Sequence, residues 1–177
     1  MSRLPQKIGA LHRTLSSAEI PHAFGGALAL AWCTQRARGT IDIDLNVFVH
    51  QDRAASVVAA LPKGVSCSAP DLAALQRDGQ VRLWWDDTPI DVFLNTTEYH
   101  EQVAGRTRIE PFAGESVPFL ACSDLAVFKT FFDRTRDWAD LEAMAAAGTL
   151  DVEHVLGVIV RYLGPGDPRV ERLRSLA

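Results

Sequence analysis

The chain has no excess of basic residues. Its 177 residues include 18 Lys and Arg against 22 Asp and Glu, which gives a formal net charge of −4. Proteins that coat nucleic acids without specificity usually carry a strong positive excess. The composition therefore excludes a bulk nucleic-acid coat protein, while a local basic patch facing a polynucleotide remains compatible with it.

Cysteines are few, and their spacing forms no familiar pattern. Only Cys33, Cys67 and Cys122 are present, far apart and without a CxxC pair. A zinc site is usually indicated by closely spaced cysteines, and a disulfide framework by an even number of them. We therefore expect three free thiols in a reducing cytoplasm, and neither a structural zinc site nor a disulfide.

Long apolar runs are also missing. No stretch approaches the twenty or so apolar residues that span a bilayer, and the opening MSRLPQKIGALHRTL lacks the apolar core of a signal peptide. The sequence thus predicts a soluble cytoplasmic protein with no membrane partner.

The apolar residues that are present predict an α+β fold. Leu4, Ile8, Leu11 and Leu15 recur at helical spacing. Strand-like runs follow at 22–24, 41–49, 65–68, 80–85 and 89–95, with a second hairpin between 106 and 120. From Ser123, an expected N-cap, one helical pattern continues to Ala147, and two shorter helices follow. We expect a mixed sheet flanked by helices in residues 1–120 and a helical part, 121–177, that completes the site.

Carboxylates interrupt two of the predicted strands. In the run Ile41–Val49, aliphatic residues alternate with Asp42 and Asp44, so both carboxylates project from one face. Asp91 stands in the later run Pro89–Asn95. Three convergent carboxylates suit Mg²⁺, which prefers hard oxygen ligands. The alternatives are a strand with one solvated face and, for Asp91, a turn acceptor.

Two further features suit phosphate chemistry. The Gly25-Gly26 turn precedes a predicted short helix, where backbone N–H groups can face a phosphate; the alternative is a tight structural turn. Lys129 lies on the predicted long helix, which also carries Asp137 and Asp140. The alternatives there are an i,i+4 pair of Lys129 with Asp133 and a solvated helix face.

These residues together carry a family resemblance. The chain from about 24 to 141 resembles the minimal nucleotidyltransferases of the DNA polymerase β-like superfamily, and within it the AbiEii-type toxins of abortive-infection and toxin–antitoxin systems. The matching motifs are Gly25-Gly26, Arg38-x-Thr40-x-Asp42-Ile43-Asp44-Leu45, Ile90-Asp91-Val92, and Lys129 with the later RDWADL. Many superfamily members have glycine-serine where this chain has glycine-glycine.

The resemblance implies a catalytic metal centre. Asp42, Asp44 and Asp91 would be the catalytic residues and the ligands of one or two Mg²⁺ ions. Asp91 would also deprotonate the incoming hydroxyl.

It also implies a nucleotide site. Gly25 and Gly26 would receive the phosphates of an NTP such as ATP. Contacts to the triphosphate are implied for Arg38 and Thr40, and a contact to phosphate for Lys129. Asp137 and Asp140 would either orient Lys129 or touch the base or sugar.

The implied activity is transfer of a nucleoside monophosphate from an NTP to an acceptor. In the toxin-like branch the acceptor would be RNA, such as a tRNA 3′ end, and a cognate antitoxin would be a partner protein. Two alternatives stay open. One is an aminoglycoside-type small-molecule acceptor, and the other is a non-catalytic module of the same fold that binds a nucleotide or a partner.

Overall fold

The computed structural model describes residues 3–177, which form seven strands and nine α-helices. The strands are β1 (His22–Phe24), β2 (Ile43–His50), β3 (Val65–Ser66), β4 (Gln80–Trp85), β5 (Thr88–Asn95), β6 (Arg108–Phe112) and β7 (Glu115–Phe119). The helices are α1 (Leu4–Ser17), α2 (Gly26–Thr34), α3 (Ala54–Ala60), α4 (Ala69–Asp78), α5 (Glu98–Val103), α6 (Cys122–Phe132), α7 (Thr135–Ala146), α8 (Val152–Leu163) and α9 (Pro168–Arg174). Two 3-10 turns, Gln51–Arg53 and Ala104–Arg106, complete the elements.

All seven strands belong to one mixed sheet in the order β3-β4-β5-β2-β1-β7-β6. β2 runs parallel to β5, and β1 runs parallel to β7, whereas the other neighbours are antiparallel. The predicted α+β class, with a mixed sheet flanked by helices, is confirmed. The parallel pairing of β2 with β5 brings Asp44 and Asp91 side by side.

The chain divides into two compact units. The first holds the residues up to Leu28 together with Gly39–Leu120, and therefore the whole sheet. Its core includes Leu11 and Leu15 of α1 and the aliphatic residues of β2 and β5, all of them buried. The second unit holds Ala29–Arg38 and the residues from Ala121 onward. The predicted functional division at residue 120 stays a prediction.

The second unit is helical, and its core is built around Trp138. This indole is 1% exposed, donates through Nε1 to Asp133 Oδ1 at 2.6 Å, and has the guanidinium carbon of Arg172 4.2 Å from its ring centroid. Met144 and Ile159 are buried in the same unit. Trp138 is therefore a packing residue between helices.

The predicted single helix from Ser123 to Ala147 is wrong in two respects. Asp133 takes a left-handed conformation, with φ of 56°, and ends α6 before α7 begins. Aspartate tolerates this conformation because its short polar side chain can hydrogen-bond locally. The N-cap of α6 is Ala121 rather than Ser123.

The prediction of three free thiols is also wrong. Cys33 of α2 and Cys122 of α6 form a disulfide within the second unit, with their Cα atoms 5.7 Å apart. Cys67 is the free cysteine of the described chain. The two bonded residues are 89 apart in sequence, and no local pattern marks such a pair. A reducing cytoplasm, inferred in part from free thiols, loses that support and stays a prediction.

One smaller expectation changes at a strand end. Ile41, predicted to start a buried strand face, lies before β2 and is 75% exposed. None of the helices described in residues 3–177 is long and apolar enough to cross a membrane.

Candidate active site

The first unit brings the three predicted carboxylates to one place on the sheet. Asp44 of β2 and Asp91 of β5 are register partners on neighbouring parallel strands, so they share a face. Asp42 lies two residues before Asp44, just ahead of the strand. Its carboxylate is fixed locally, since Thr40 Oγ1 donates to Asp42 Oδ1 at 3.1 Å.

A fourth side chain, Arg82, joins them from β4. Arg82 is the register partner of Asp91 on the antiparallel neighbour. Its Nε and Nη2 each donate to one oxygen of Asp91, both at 2.7 Å, and Nη2 also lies 3.9 Å from Asp42 Oδ2. The hydrogen bonds to Asp91, helped by the charges of Asp91, Asp42 and Asp44, raise the pKa of Arg82. The carboxylates therefore share one guanidinium as their common counter-charge.

Sequence reasoning missed Arg82, although a signal for it exists. Trp85 and Thr88 pair directly across the two-residue turn of Asp86 and Asp87. Arg82 lies three residues from Trp85 along β4, and Asp91 lies three residues from Thr88 along β5, so the two are also partners. The predicted strand begins at Pro89, which leaves Thr88 in the turn and conceals the pairing of Arg82 with Asp91.

The Gly25-Gly26 turn lies against the first of these strands. The N–H of Gly25 donates to the carbonyl of Asp44 at 2.9 Å. Gly26 has a φ of +53°, and a Cβ placed there would lie 1.7 Å from Asp44 Oδ2. Glycine at this position therefore suits both the left-handed backbone conformation and the close approach of the Asp44 carboxylate.

The donor set fits a hard divalent cation. Three carboxylates without nitrogen or sulfur ligands are the chemistry that Mg²⁺ selects. As they stand, the described residues 3–177 include no group of three or more His, Cys, Asp or Glu positioned to hold a metal ion. The carboxylate of Asp91 instead accepts two hydrogen bonds from the guanidinium of Arg82. The assignment of Asp42, Asp44 and Asp91 as metal ligands stays a prediction.

The other predicted residues form a separate cluster within the second unit. Lys129 Nζ donates to Asp140 Oδ2 at 2.6 Å and lies 3.6 Å from Asp137 Oδ1. Arg38 forks onto Asp140 through Nη1 and Nη2, at 2.6 and 3.1 Å. Both carboxylates and the lysine are at least nine-tenths buried. The alternatives of a Lys129–Asp133 pair and a solvated helix face do not describe this cluster.

Asp137 is held by two cations. Burial alone would raise the pKa of its carboxyl, but the hydrogen bond from Arg134 and the charge of Lys129 outweigh burial and lower it. Arg134 donates through Nε to Asp137 Oδ2 at 2.6 Å. The cluster is thus a closed ion-pair network as described, and contacts of Arg38, Lys129, Asp137 and Asp140 with nucleotide stay predictions.

Comparison with known proteins gives the fold. No family model and no curated protein matches the chain. Among solved structures, it is similar to the antibiotic-resistance factor ANT(2'')-Ia in solution, at 15% identity over 97% of this chain and 89% of that chain, with a TM-score of 0.53. The crystal structure of ANT(2")-Ia in complex with adenylyl-2"-tobramycin gives 14% identity, 95% of each chain and a TM-score of 0.56.

A third similar structure is an antigenic nucleotidyltransferase-like protein from Paracoccidioides brasiliensis. It is 14% identical over 98% of this chain and 84% of that chain, with a TM-score of 0.53. The chain therefore has the nucleotidyltransferase fold, as its motifs predicted. Membership of the AbiEii-type branch stays a prediction.

Proposed function

We propose that this protein is a metal-dependent nucleotidyltransferase, which moves a nucleoside monophosphate from an NTP to an acceptor hydroxyl and releases pyrophosphate. One observation carries the proposal: Asp44 and Asp91, from distant segments, are partners on adjacent parallel strands, with Asp42 beside them and the Gly25-Gly26 turn against Asp44. Repelling carboxylates are costly to gather unless the site uses them. The nucleotidyltransferase fold adds independent support.

Asp42, Asp44 and Asp91 would hold one or two Mg²⁺ ions. When bound, these ions would offset the charge of the phosphates and of the attacking and leaving oxygens. The acceptor oxygen bonds to the α-phosphorus of the NTP while the bond to the bridging oxygen breaks and pyrophosphate leaves. Asp91 takes the proton of the hydroxyl, and the double-glycine turn lets phosphate come close to the backbone at the start of α2.

For the acceptor, the motif resemblance favours RNA, such as a tRNA 3′ end, and with it a toxin whose partner is a cognate antitoxin. The acidic balance of the chain weakens the RNA case, because phosphate contacts need cationic side chains.

A small-molecule acceptor of the aminoglycoside type is the second candidate. It is favoured by one specific observation, the adenylyl-2"-tobramycin in the complex of a protein with the same fold. Aminoglycosides are polycations, and an acidic cluster attracts them without any basic patch.

The test incubates the protein with each α-³²P-labelled NTP and Mg²⁺, against total RNA in one arm and a panel of aminoglycosides in the other. Label on RNA supports the toxin-like reading, whereas label on an aminoglycoside supports the second. In both arms Asp44→Ala, which removes one carboxylate, must abolish the label while circular dichroism stays native. If no NTP labels any acceptor and none shifts the melting temperature in the presence of Mg²⁺, the non-catalytic partner-binding module is the better description.

A further inference from the structure

The guanidinium of Arg82 occupies the position from which a cation would neutralise Asp91. It donates to both oxygens of that carboxylate at 2.7 Å and reaches towards Asp42 at 3.9 Å. We propose that Arg82 is a displaceable counter-ion of the acidic cluster, which holds Asp91 in the metal-free protein and must leave it for a divalent cation to bind. This inference rests on the proposed metal-dependent function and adds a residue that sets its metal affinity.

Arg82 and a divalent cation would compete for Asp91 through their charges. The forked guanidinium takes one lone pair on each oxygen of Asp91 and places a positive charge directly beside them. A divalent cation on a remaining lone pair would lie close to that charge and be repelled by it. Arginine cannot give up the contact by losing its proton, because it stays charged at any accessible pH. Arg82 can release Asp91 only by moving its side chain.

The Arg82 side chain has solvent beside it into which it can move. Arg82 is 49% exposed, whereas Asp91 is 20% exposed. The guanidinium can therefore rotate into water and be solvated there. The short Asp91 side chain is less exposed, and its backbone is held by pairing with β2 and with β4. The arginine is therefore the partner with more room to move.

The charge of the acidic cluster differs between the metal-free and the metal-bound protein. Without a metal, one guanidinium offsets part of the charge of three neighbouring carboxylates, which limits their repulsion. A divalent ion carries twice the charge of the guanidinium, so its binding can offset the loss of the contact with Arg82. A monovalent ion carries only the same charge and has no such advantage. Arg82 should therefore lower the affinity for divalent cations while stabilising the metal-free protein.

The experiment is a titration of Mn²⁺ into nucleotide-free protein, with free Mn²⁺ followed by its electron paramagnetic resonance signal. Arg82→Gln removes the charge and the fork. Arg77→Gln is the matched control, because Arg77 of α4 forks onto the carboxylate of Asp78 in the same way, at 2.9 and 2.6 Å. We expect Arg82→Gln to bind Mn²⁺ at least about fivefold tighter than wild type, the lower end of typical coupling between competing ligands. Arg77→Gln should bind as wild type does.

Two companion variants sharpen the result. Arg82→Lys keeps the charge without the two-pronged contact and should give an intermediate affinity. Adding Asp91→Asn to Arg82→Gln should remove the gain, because the contested ligand is gone. Without Mn²⁺, Arg82→Gln should melt below wild type, and saturating Mn²⁺ should close that gap.

The outcomes separate this inference from the proposed function. If wild type binds Mn²⁺ and Arg82→Gln binds it equally or more weakly, the displaceable counter-ion is refuted while the metal site stands. If neither wild type nor Arg82→Gln binds Mn²⁺ at millimolar concentrations, this inference and the metal-dependent function both fall. If Arg82→Gln binds Mn²⁺ more tightly than wild type and Arg77→Gln does not, both this inference and the metal-dependent function are supported.

Discussion

Asp44 and Asp91 face the same side of the sheet as direct partners on β2 and β5, although they belong to distant segments of the chain. Parallel neighbours can be joined only by a crossover, and here the crossover consists of α3, β3, α4 and β4. The site is therefore a product of the sheet topology. Its carboxylates meet only when the strand order is correct.

The first prediction concerns the carboxylates. Asp44→Asn preserves shape and removes charge, so nucleotide transfer should fall by at least about a hundredfold, as when one electrostatic group of an active site is lost. Label incorporation from the active NTP measures it. Asp71→Asn, at the N-terminus of α4, is the control and should leave the rate unchanged. Normal transfer by Asp44→Asn would remove Asp44 from the mechanism.

The second prediction concerns the glycine turn. Gly148→Ala meets a φ of +71° with open space around the added Cβ, and should cost about 1–2 kcal/mol, the usual strain of a left-handed residue. Gly26→Ala meets a similar φ and also the Asp44 carboxylate, so it should cost clearly more. Urea unfolding compares the two. Equal costs would mean that Asp44 moves aside freely and that the close approach has no structural consequence.

The third prediction separates structure from catalysis at Lys129. Removing one partner of a buried ion pair leaves an uncompensated charge and costs about 3–5 kcal/mol. Lys129→Ala should therefore lower the free energy of unfolding by about that much, whereas Arg136→Ala, exposed on α7, should change it little. A variant of Lys129 that unfolds normally but transfers no nucleotide would instead assign the lysine to the substrate.

The fourth prediction concerns pH. Burial lowers the pKa of His100 to about 4, and Thr96 N–H and Nδ1 of His100 lie 3.4 Å apart, a contact that needs a neutral ring. An unfolded histidine titrates near 6.5, so between these values the unfolded state binds more protons. Stability is thus full above pH 6.5 and declines as the pH falls towards 4, by at most about 3 kcal/mol from this group. Unfolding of wild type and His100→Gln across this range measures it.

In the variant the decline should be shallower than in wild type. Identical pH profiles for the two proteins would show that His100 is not the group responsible.

The fifth prediction concerns the disulfide. Cys33→Ser should lower the free energy of unfolding by about 2–4 kcal/mol, the usual contribution of a native disulfide. Cys67→Ser should have little effect, because that thiol is unbonded. Dithiothreitol should destabilise wild type and Cys67→Ser but not Cys33→Ser. Insensitivity of wild type to the reductant would contradict the bond.

Much of the fold can be predicted from local sequence pattern. The alternation of apolar and polar residues in a strand and their spacing in a helix both involve residues that are close together in the chain. The hairpin β4–β5 and the helix α1 were predictable for that reason. The break at Asp133 was not, since its left-handed backbone is supported by a contact from Trp138 that only the folded helices create.

The candidate site divides in the same way. Asp42 and Asp44 belong to a recognisable motif. Asp91 lies in a strand-like run in which, as in the first, a carboxylate stands among aliphatic residues. Arg82 carries no motif and gains its place only through strand register. For Lys129, helix spacing alone offers Asp133 as a partner, whereas the motif resemblance offers Asp137 and Asp140, and the folded chain pairs the lysine with these two.

The bond between Cys33 and Cys122 has a topological consequence. It closes a covalent ring that contains every residue from 34 to 121, and with them all three carboxylates and Arg82. A protease that nicks the backbone once inside this ring opens it without releasing a fragment, because the sulfur bridge still joins the two ends. The acidic cluster can therefore survive such a cut as one molecule for as long as its surroundings remain oxidising.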